Sequence, residues 1–268
     1  MRFAQLGASS LAAIAAVLLV AAAWAAEPAL VLEGKIPLGK VSGRIDHLAV
    51  DLQRQRLFVA ELGNDTVGVV DLKAMTTLRT LTGFPEPQGI GYARSADEVY
   101  VANAGDGSLR ILGGEDLSPR GRLELGDDAD NVRIDTSARR VFVGYGKGAL
   151  AVIDANSHAK VADLPLKAHP ESFQLDPTTG RAFVNVPDAG HVAVIDIASA
   201  RQLAAWQVPG LRANFPMAID NDGGQVFVAF RRPARLAVFA GRDGAVVSNL
   251  DLCDDADDGI RTGATAKS

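Results

Sequence analysis

An aromatic residue opens the same short pattern five times along this chain. The pattern is an aromatic residue, then valine, then a small residue, and consecutive copies are separated by 42, 42, 41 and 44 residues. A repeat of this length indicates a row of supersecondary units that stack on one another, which restricts the fold more than any single residue does. The five copies begin at Phe58, Tyr100, Phe142, Phe183 and Phe227.

Each unit contains four short segments with the alternation of a β-strand. An alternating apolar segment, ending at Asp51 in the first unit, precedes the aromatic segment, and a third segment such as 67–71 and a half-polar fourth segment such as 77–81 follow it. Four short strands joined by turn residues, without helical periodicity, predict an all-β fold, namely a β-propeller of four-stranded antiparallel blades. The predicted blades span residues 43–83, 84–126, 127–167, 168–209 and 210–252.

The repeat extends beyond these five blades only in part. Residues 30–37 have the phase of a fourth strand and would form a surplus N-terminal strand, while 256–258 match the opening of a sixth blade. Residues 259–268 form a polar tail that loses the pattern. We therefore expect a propeller domain over 27–258 that is truncated or frame-shifted near Asp258, relative to a larger ring. A five-bladed ring with one outer strand left over is the alternative.

The first 26 residues do not follow the repeat. Arg2 is their only charged residue, residues 11–20 form an apolar core, and Ala23-Trp24-Ala25 has the small-x-small pattern of a cleavage site. These features predict a signal peptide over 1–26 and a periplasmic or secreted protein. A retained membrane anchor is the alternative, because the uncharged stretch is long enough to span a bilayer.

Charge and cysteine content exclude several classes of partner. The chain has 27 Lys and Arg against 32 Asp and Glu, a net charge of −5 at pH 7, and loss of Arg2 makes it more negative. This balance argues against nucleic-acid or anionic-membrane binding through bulk electrostatics. Cys253 is the single cysteine, so neither an intramolecular disulfide nor haem attachment through paired cysteines is expected.

The repeats gather their informative polar residues on one face. In an antiparallel blade the start of the first strand and the end of the second lie at the same end, and loops on a rigid scaffold commonly carry the site. Aligned through the repeats, equivalent positions before the first strand hold mostly acidic or polar residues. The candidate ligand-binding residues on this face are Asp46, His47, Gln88, Asp130, Asn131, His169, Glu171 and Arg231.

Acidic residues at this face leave two interpretations open. Asp46, Asp130, Glu171 and Asp257 would line the channel mouth, where oxygen ligands suit calcium or magnesium. Alternatively they hydrogen-bond to the backbone of the next blade or remain solvated. The histidines lack the close spacing of a transition-metal site. We predict no cofactor, with calcium as the alternative.

Catalysis is not indicated by the residues of this face. Asp46-His47 and His169-x-Glu171 have the residue types of acid/base pairs. Neighbouring residues in a strand point to opposite faces, which counts against the first pair. Because no activated nucleophile accompanies them, we predict no catalytic residue.

Several motifs resemble those of a known family. Tyr100-Val101-Ala102-Asn103 followed by Gly105-Asp106-Gly107, and the strand endings at 152–154 and 192–196, resemble the YVTN-repeat β-propellers, which are related in fold to the quinoprotein amine dehydrogenase β-chain-like propellers. The resemblance covers roughly residues 43–252. It implies an exported protein, a ring that commonly closes with seven blades, and a role in binding or assembly.

Taken with the polar face, the resemblance predicts an exported binding or scaffold protein that recognises a partner or small ligand on its loop face. The identity of that ligand or partner is left open. Two alternatives remain: a metal-dependent, lactonase-like hydrolase that uses the acidic channel mouth, and an accessory protein of a periplasmic redox system.

Overall fold

The computed structural model describes residues 31–257 and 259. The chain divides into two compact units, Met1–Lys35 and Ile36–Ser268. In the first unit, the described residues 31–35 are exposed and have no regular secondary structure. The predicted signal peptide over 1–26, Leu30 of the predicted surplus strand, Asp258 and residues 260–268 of the predicted tail lie outside the described residues.

Five antiparallel sheets make up the described part of the second unit, and each contains four consecutive strands. This arrangement confirms the predicted β-propeller fold with four-stranded blades. The described residues also form two single turns of 3-10 helix, Leu62–Asn64 and Pro187–Ala189, and no helix among them has the length and apolar composition to cross a membrane. The strands are β1 Leu48–Asp51, β2 Arg56–Glu61, β3 Thr66–Asp71, β4 Thr76–Thr82, β5 Pro87–Ala93, β6 Glu98–Asn103, β7 Ser108–Gly113, β8 Pro119–Glu124, β9 Val132–Asp135, β10 Arg140–Tyr145, β11 Ala149–Asp154, β12 Lys160–Pro165, β13 Phe173–Asp176, β14 Arg181–Val186, β15 His191–Asp196, β16 Arg201–Trp206, β17 Arg212–Asp220, β18 Gln225–Arg232, β19 Ala234–Ala240 and β20 Val246–Asp251.

Aspartate side chains fix the turns between these strands. Oδ1 of Asp71, at the end of β3, accepts a hydrogen bond from the backbone N–H of Ala74 at 2.7 Å, and Asp154 and Asp196 cap the equivalent turns of the third and fourth blades. Aspartate stabilises such turns because its short side chain reaches amides two or three residues ahead. The aspartate that ends the third strand therefore holds the turn to the fourth strand in these three blades.

The repeated aromatic residues form the core between consecutive blades. Phe58 and Phe142 are fully buried, and the Phe58 ring lies 6.1 Å from that of Tyr92 in the next blade. Each of the four apolar clusters combines residues of two consecutive sheets, so neighbouring blades bury the aromatic face of the blade before them. Phe227 in the fifth blade remains partly exposed, because no described strand packs on that side.

The first strands of consecutive blades lie side by side. β1 packs against β5, β5 against β9, β9 against β13 and β13 against β17, but within the described residues no packed interface joins β17 to β1. Leu48 and Val50 on β1 are accordingly 53% and 41% exposed, whereas the equivalent of Leu48 in the third blade, Val132, is buried. Gly259 lies against Ala218 of β17, where the first strand of a following blade would pack.

The predicted surplus strand over 30–37 is not formed in its described part. Residues 31–38 have no regular secondary structure, although the carbonyl oxygen of Pro37 accepts a hydrogen bond from Oγ1 of Thr77 at 2.8 Å. A strand is defined by a ladder to a partner strand, and the described residues supply only this one side-chain contact.

Candidate functional site

The candidate site is built from backbone-equivalent positions that precede the first strands. In the third blade the N–H of Asp130 donates to Gly144, and the N–H of Gly144 donates to the carbonyl of Asn131. The first and fourth blades repeat this reciprocal pair through Ala60 and Asn185. The same backbone geometry therefore delivers one pair of side chains from each of three blades to a common face.

These positions surround one cavity of about 550 Å³. All eight residues predicted from the sequence line it, as does Asp257 from the predicted acidic set. The lining residues are Arg44, Ile45, Asp46, His47, Gln88, Asp128, Asp130, Asn131, His169, Glu171, Ser172, Phe215, Arg231, Asp255 and Asp257.

The first blade contributes a carboxylate between two basic groups. Oδ2 of Asp46 accepts a hydrogen bond from Nη2 of Arg44 at 2.9 Å, and Nδ1 of His47 lies 2.9 Å from Oδ1 of Asp46. The ring N–H is not aligned along this second contact, so it is electrostatic rather than a well-formed hydrogen bond. The expectation that Asp46 and His47 point apart was wrong, because both residues precede β1 and lack the alternation of a strand.

Asp130 and Asn131 form the buried inner wall of the cavity. They are only 5% and 2% exposed, and Nδ2 of Asn131 donates to Oδ2 of Asp130 at 3.3 Å. Oδ1 of Asp130 and Oδ1 of Asn131 have no hydrogen-bond partner among the described residues. Buried oxygens without partners are costly, so the residues of this wall carry unsatisfied acceptors at the lining of the cavity.

The position of this wall depends on Gly89 in the second blade. A Cβ atom at Gly89 would overlap the carbonyl oxygen of Asp130 and lie 3.0 Å from Cγ2 of Val132. The absence of a side chain therefore allows the second blade to approach the backbone that carries Asp130.

Burial and neighbouring charges change the acidity of the inner wall. Desolvation raises the pKa of Asp130, and the carboxylate of Asp46 adds to this effect, while His47 and His169 oppose it. Burial lowers the pKa of His47, but its contact with Asp46 and the charge of Asp130 outweigh burial and raise it overall. Histidine and carboxyl groups in the cavity are therefore electrostatically coupled.

The fourth blade contributes His169 and Glu171. Desolvation and the charge of Asp130 raise the pKa of Glu171 to about 7, against opposition from His169. Nδ1 of His169 donates to the carbonyl oxygen of Gly146 at 2.7 Å and lies 3.6 Å from Oδ2 of Asp128. Glu171 thus changes its charge near neutral pH while His169 is held in one orientation.

Arg231 closes the cavity wall at the fifth blade. Its guanidinium lies 4.2 Å above the ring centroid of Phe215, and its Nη2 donates to Oδ1 of Asp257 at 2.6 Å. Nε donates to the backbone carbonyl of Ala256 at 3.1 Å. Asp257, assigned from the sequence to the acidic set that could hold a metal, is therefore an ion-pair partner of Arg231.

The two remaining histidines lie elsewhere. His191 is buried at the start of β15, with Nδ1 3.1 Å from the carbonyl oxygen of Ala189, and does not line the cavity. His158 contacts the carboxylate of Glu98 at 2.9 Å and does not line the cavity either.

The described part of the chain does not contain a group of side chains that could bind a metal ion. Residues 31–257 and 259 contain no group of three or more His, Cys, Asp or Glu side chains arranged to hold a metal ion. The acidic residues Asp46, Asp130 and Glu171 share the cavity but do not converge on one point as a ligand set. Calcium therefore stays a prediction without support from this geometry.

The cavity groups should make the protein less stable as pH rises from about 5 to about 8. Glu171 has a pKa of about 7 in the folded protein against an ordinary value of 4.5. Its contribution to the free energy of unfolding is therefore fully present below pH 4.5 and is lost as pH rises through 7. Raised pKa values at Asp130 and His47 act in the same direction. Turn-capping aspartates such as Asp154 have lowered pKa values, so their contribution to the stability of the protein is lost only at more acidic pH.

Glu171→Gln isolates this effect. We expect it to raise the free energy of unfolding at pH about 8 by ~1–2 kcal/mol after allowance for solvent screening, and to flatten the profile between pH about 5 and 8. Thermal melts across this range provide the measurement. A variant profile parallel to the wild-type profile would contradict the assignment.

Fold and site together define a β-propeller whose loop face holds an acidic cavity with unsatisfied polar groups. No protein-family model matches the chain. The chain is 25% identical over 199 residues to the Uncharacterized protein YncE of Salmonella typhi and to that of Salmonella typhimurium, and each alignment covers 69% of this chain and 54% of the relative. The chain thus spans about half the length of the curated relatives it matches.

A solved structure gives the same picture of the fold. Hydrazine Synthase of Kuenenia stuttgartiensis is similar with a TM-score of 0.73 and 17% identity, over 83% of this chain and 70% of that chain. At this identity the likeness concerns the fold alone, since one fold carries many functions.

Proposed function

We propose that this protein is an exported β-propeller binding protein that holds a small polar ligand in the loop-face cavity. The observation that carries the proposal is the group of buried oxygen atoms without hydrogen-bond partners among the residues of the cavity wall: Oδ1 of Asp130, Oδ1 of Asn131 and Oγ of Ser172. A ligand that supplies the missing partners removes the cost of burying them. The volume of about 550 Å³ falls in the range of small-molecule sites.

Membership of the YVTN-repeat propellers and export are parts of this proposal. The motif at 100–107 and the similarity to YncE support the first. Arg2, the apolar segment 11–20 and Ala23-Trp24-Ala25 support the second. The lactonase-like alternative has no ligand set for a metal among the described residues, and no observation on them favours a redox accessory role.

A thermal-shift screen of the protein purified from the periplasmic fraction tests the binding function and the export of the protein together. The screen covers small cationic, neutral and anionic polar compounds, and a compound at about 100 times its dissociation constant should stabilise the protein by ~2.7 kcal/mol. Ser172→Ala should reduce the shift, since it removes one unsatisfied hydroxyl. If no compound of any charge class shifts the melting temperature, the cavity is not a binding site. Absence of the protein from both the periplasm and the culture medium would refute export.

A further inference from the structure

Carboxyl groups outnumber cations around the cavity, and the cations are already engaged. Six of the lining residues are Asp or Glu, and two are Arg. Arg44 pairs with Asp46, and Arg231 pairs with Asp257 and donates to the carbonyl of Ala256. Asp130 and Glu171 form no ion pair with these arginines. Carboxyl groups therefore outnumber arginines in the cavity, and neither lining arginine neutralises the carboxyls of its inner wall.

The unsatisfied atoms of that wall are acceptors or can act as acceptors. Oδ1 of Asp130 and Oδ1 of Asn131 only accept hydrogen bonds, because Nδ2 of Asn131 donates to the other oxygen of Asp130. Oγ of Ser172, in the next blade, can accept a third bond. A carboxylate buried in this way, with one oxygen unpaired, requires a positively charged donor more than a neutral one.

An ammonium group matches this arrangement. It offers three N–H donors and one positive charge on a compact head, which match the three unpaired oxygens and the carboxylate of Asp130. An anion would meet the carboxylates directly. A hard metal ion needs six or more oxygen ligands, and the described residues include no group arranged to supply them.

We infer that the inner wall formed by Asp130, Asn131 and Ser172 is a subsite for the ammonium group of a small organic cation. This inference rests on the proposed function and specifies its ligand class. Glu171 lies on the same wall and adds negative charge when it is ionised.

Acid should release the cation. Asp46, His47, Asp128, His169 and Glu171 act electrostatically on Asp130, while Arg231 acts on Glu171 and Arg133 acts on His47. As pH falls through about 7 the carboxyl of Glu171 takes up a proton, and the raised pKa values of Asp130 and His47 bring these two groups toward their protonated forms as pH falls further. Each of these changes reduces the attraction for an ammonium group. Arg231 pairs with Asp257.

Three five-carbon probes of equal length test the charge class. Isothermal titration calorimetry at pH about 8 compares cadaverine, which carries ammonium groups, with the neutral pentanediol and the anionic glutarate. We expect cadaverine to bind at least roughly tenfold more tightly than either isostere. At pH about 5.5 its affinity should fall at least roughly tenfold.

Variants locate the binding. Asp130→Asn keeps the size of the side chain and should weaken cadaverine binding at least roughly tenfold, while Ser172→Ala should weaken it severalfold. Asp222→Asn is the matched control, because Asp222 is an exposed carboxylate in the turn between β17 and β18 and does not line the cavity. Thermal melts of each variant confirm that it is folded.

The possible outcomes separate this inference from the proposed function. Equal or tighter binding of pentanediol or glutarate in the cavity overturns the ammonium subsite and leaves the binding function intact. Cadaverine binding that Asp130→Asn does not weaken, or that calcium displaces at an equimolar concentration, also overturns it. If all three probes and every compound of the thermal screen fail to bind, both fail together.

Discussion

Phe142→Ala should lower the free energy of unfolding by about 3–5 kcal/mol, because it removes a fully buried ring from the interface between the third and fourth blades. Phe227→Ala is the matched comparison at the equivalent position of the fifth blade, where the ring is partly exposed. It should cost no more than ~1–2 kcal/mol, since less apolar surface is buried. Urea denaturation measures both values.

The comparison tests whether the repeated aromatics stabilise contacts between blades rather than within them. Phe142 and Phe227 both lie opposite a valine of the third strand, and opposite Arg133 and Ala218, respectively, of the first strand. They differ most in what covers them from the next blade. Equal losses for the two variants would contradict this view, because they would show that each ring acts mainly inside its own sheet.

Gly89→Ala should be the most disruptive small substitution at the site. The added methyl group would overlap the carbonyl oxygen of Asp130, which is backbone and can move only if the third blade shifts away from the second. We expect a loss of ~2–4 kcal/mol in unfolding free energy, at or above the usual cost of overpacking. Ligand binding should weaken as well, because Asp130 moves with its backbone.

Gly121→Ala serves as its control. Gly121 lies in the outer strand β8, where a Cβ atom would meet only the side chains of His158, at 3.2 Å, and Ile111, at 3.4 Å. Side chains can yield where backbone cannot, and alanine reduces the entropy of the unfolded chain, so the change should lie within ~0.5–1 kcal/mol of wild type. Thermal and urea unfolding of the two variants, measured together, decide the matter. A Gly89→Ala variant as stable as Gly121→Ala would refute the close approach.

The repeat predicted the strands because each blade repeats the same local pattern of alternating apolar residues and turn residues. In the first blade the third and fourth strands were expected at 67–71 and 77–81, and they span Thr66–Asp71 and Thr76–Thr82. Alternation and turn residues act within a few residues, so one sequence is enough to locate them.

Alignment of the repeats was also enough to bring the site residues to one face. The eight predicted residues line a single cavity because backbone-equivalent positions in a row of blades must lie at the same end. Contacts within the face were not predictable in this way. The Asp46–His47 contact depends on an irregular segment before β1, and the pairing of Arg231 with Asp257 joins residues of different repeats.

The burial of Asp130 could not be derived from the sequence either. Its side chain is equivalent to that of Glu171 in the repeat, yet the two differ in exposure, since Gly89 lets the neighbouring blade press against one of them. Charge and residue type suggested a solvated ring, whereas the packing of adjacent blades produces a desolvated wall.

The reciprocal backbone pair that precedes the first strand has a wider consequence for how such a site can change. Because the first, third and fourth blades hold their side chains through the same backbone pair, the chemistry of the cavity combines three interchangeable positions: Asp46, Asp130 and Glu171. A substitution at one of these positions alters charge or polarity on one side of the cavity and leaves the backbone of the other blades in place. Diversification of ligand preference in this architecture can therefore proceed one blade at a time.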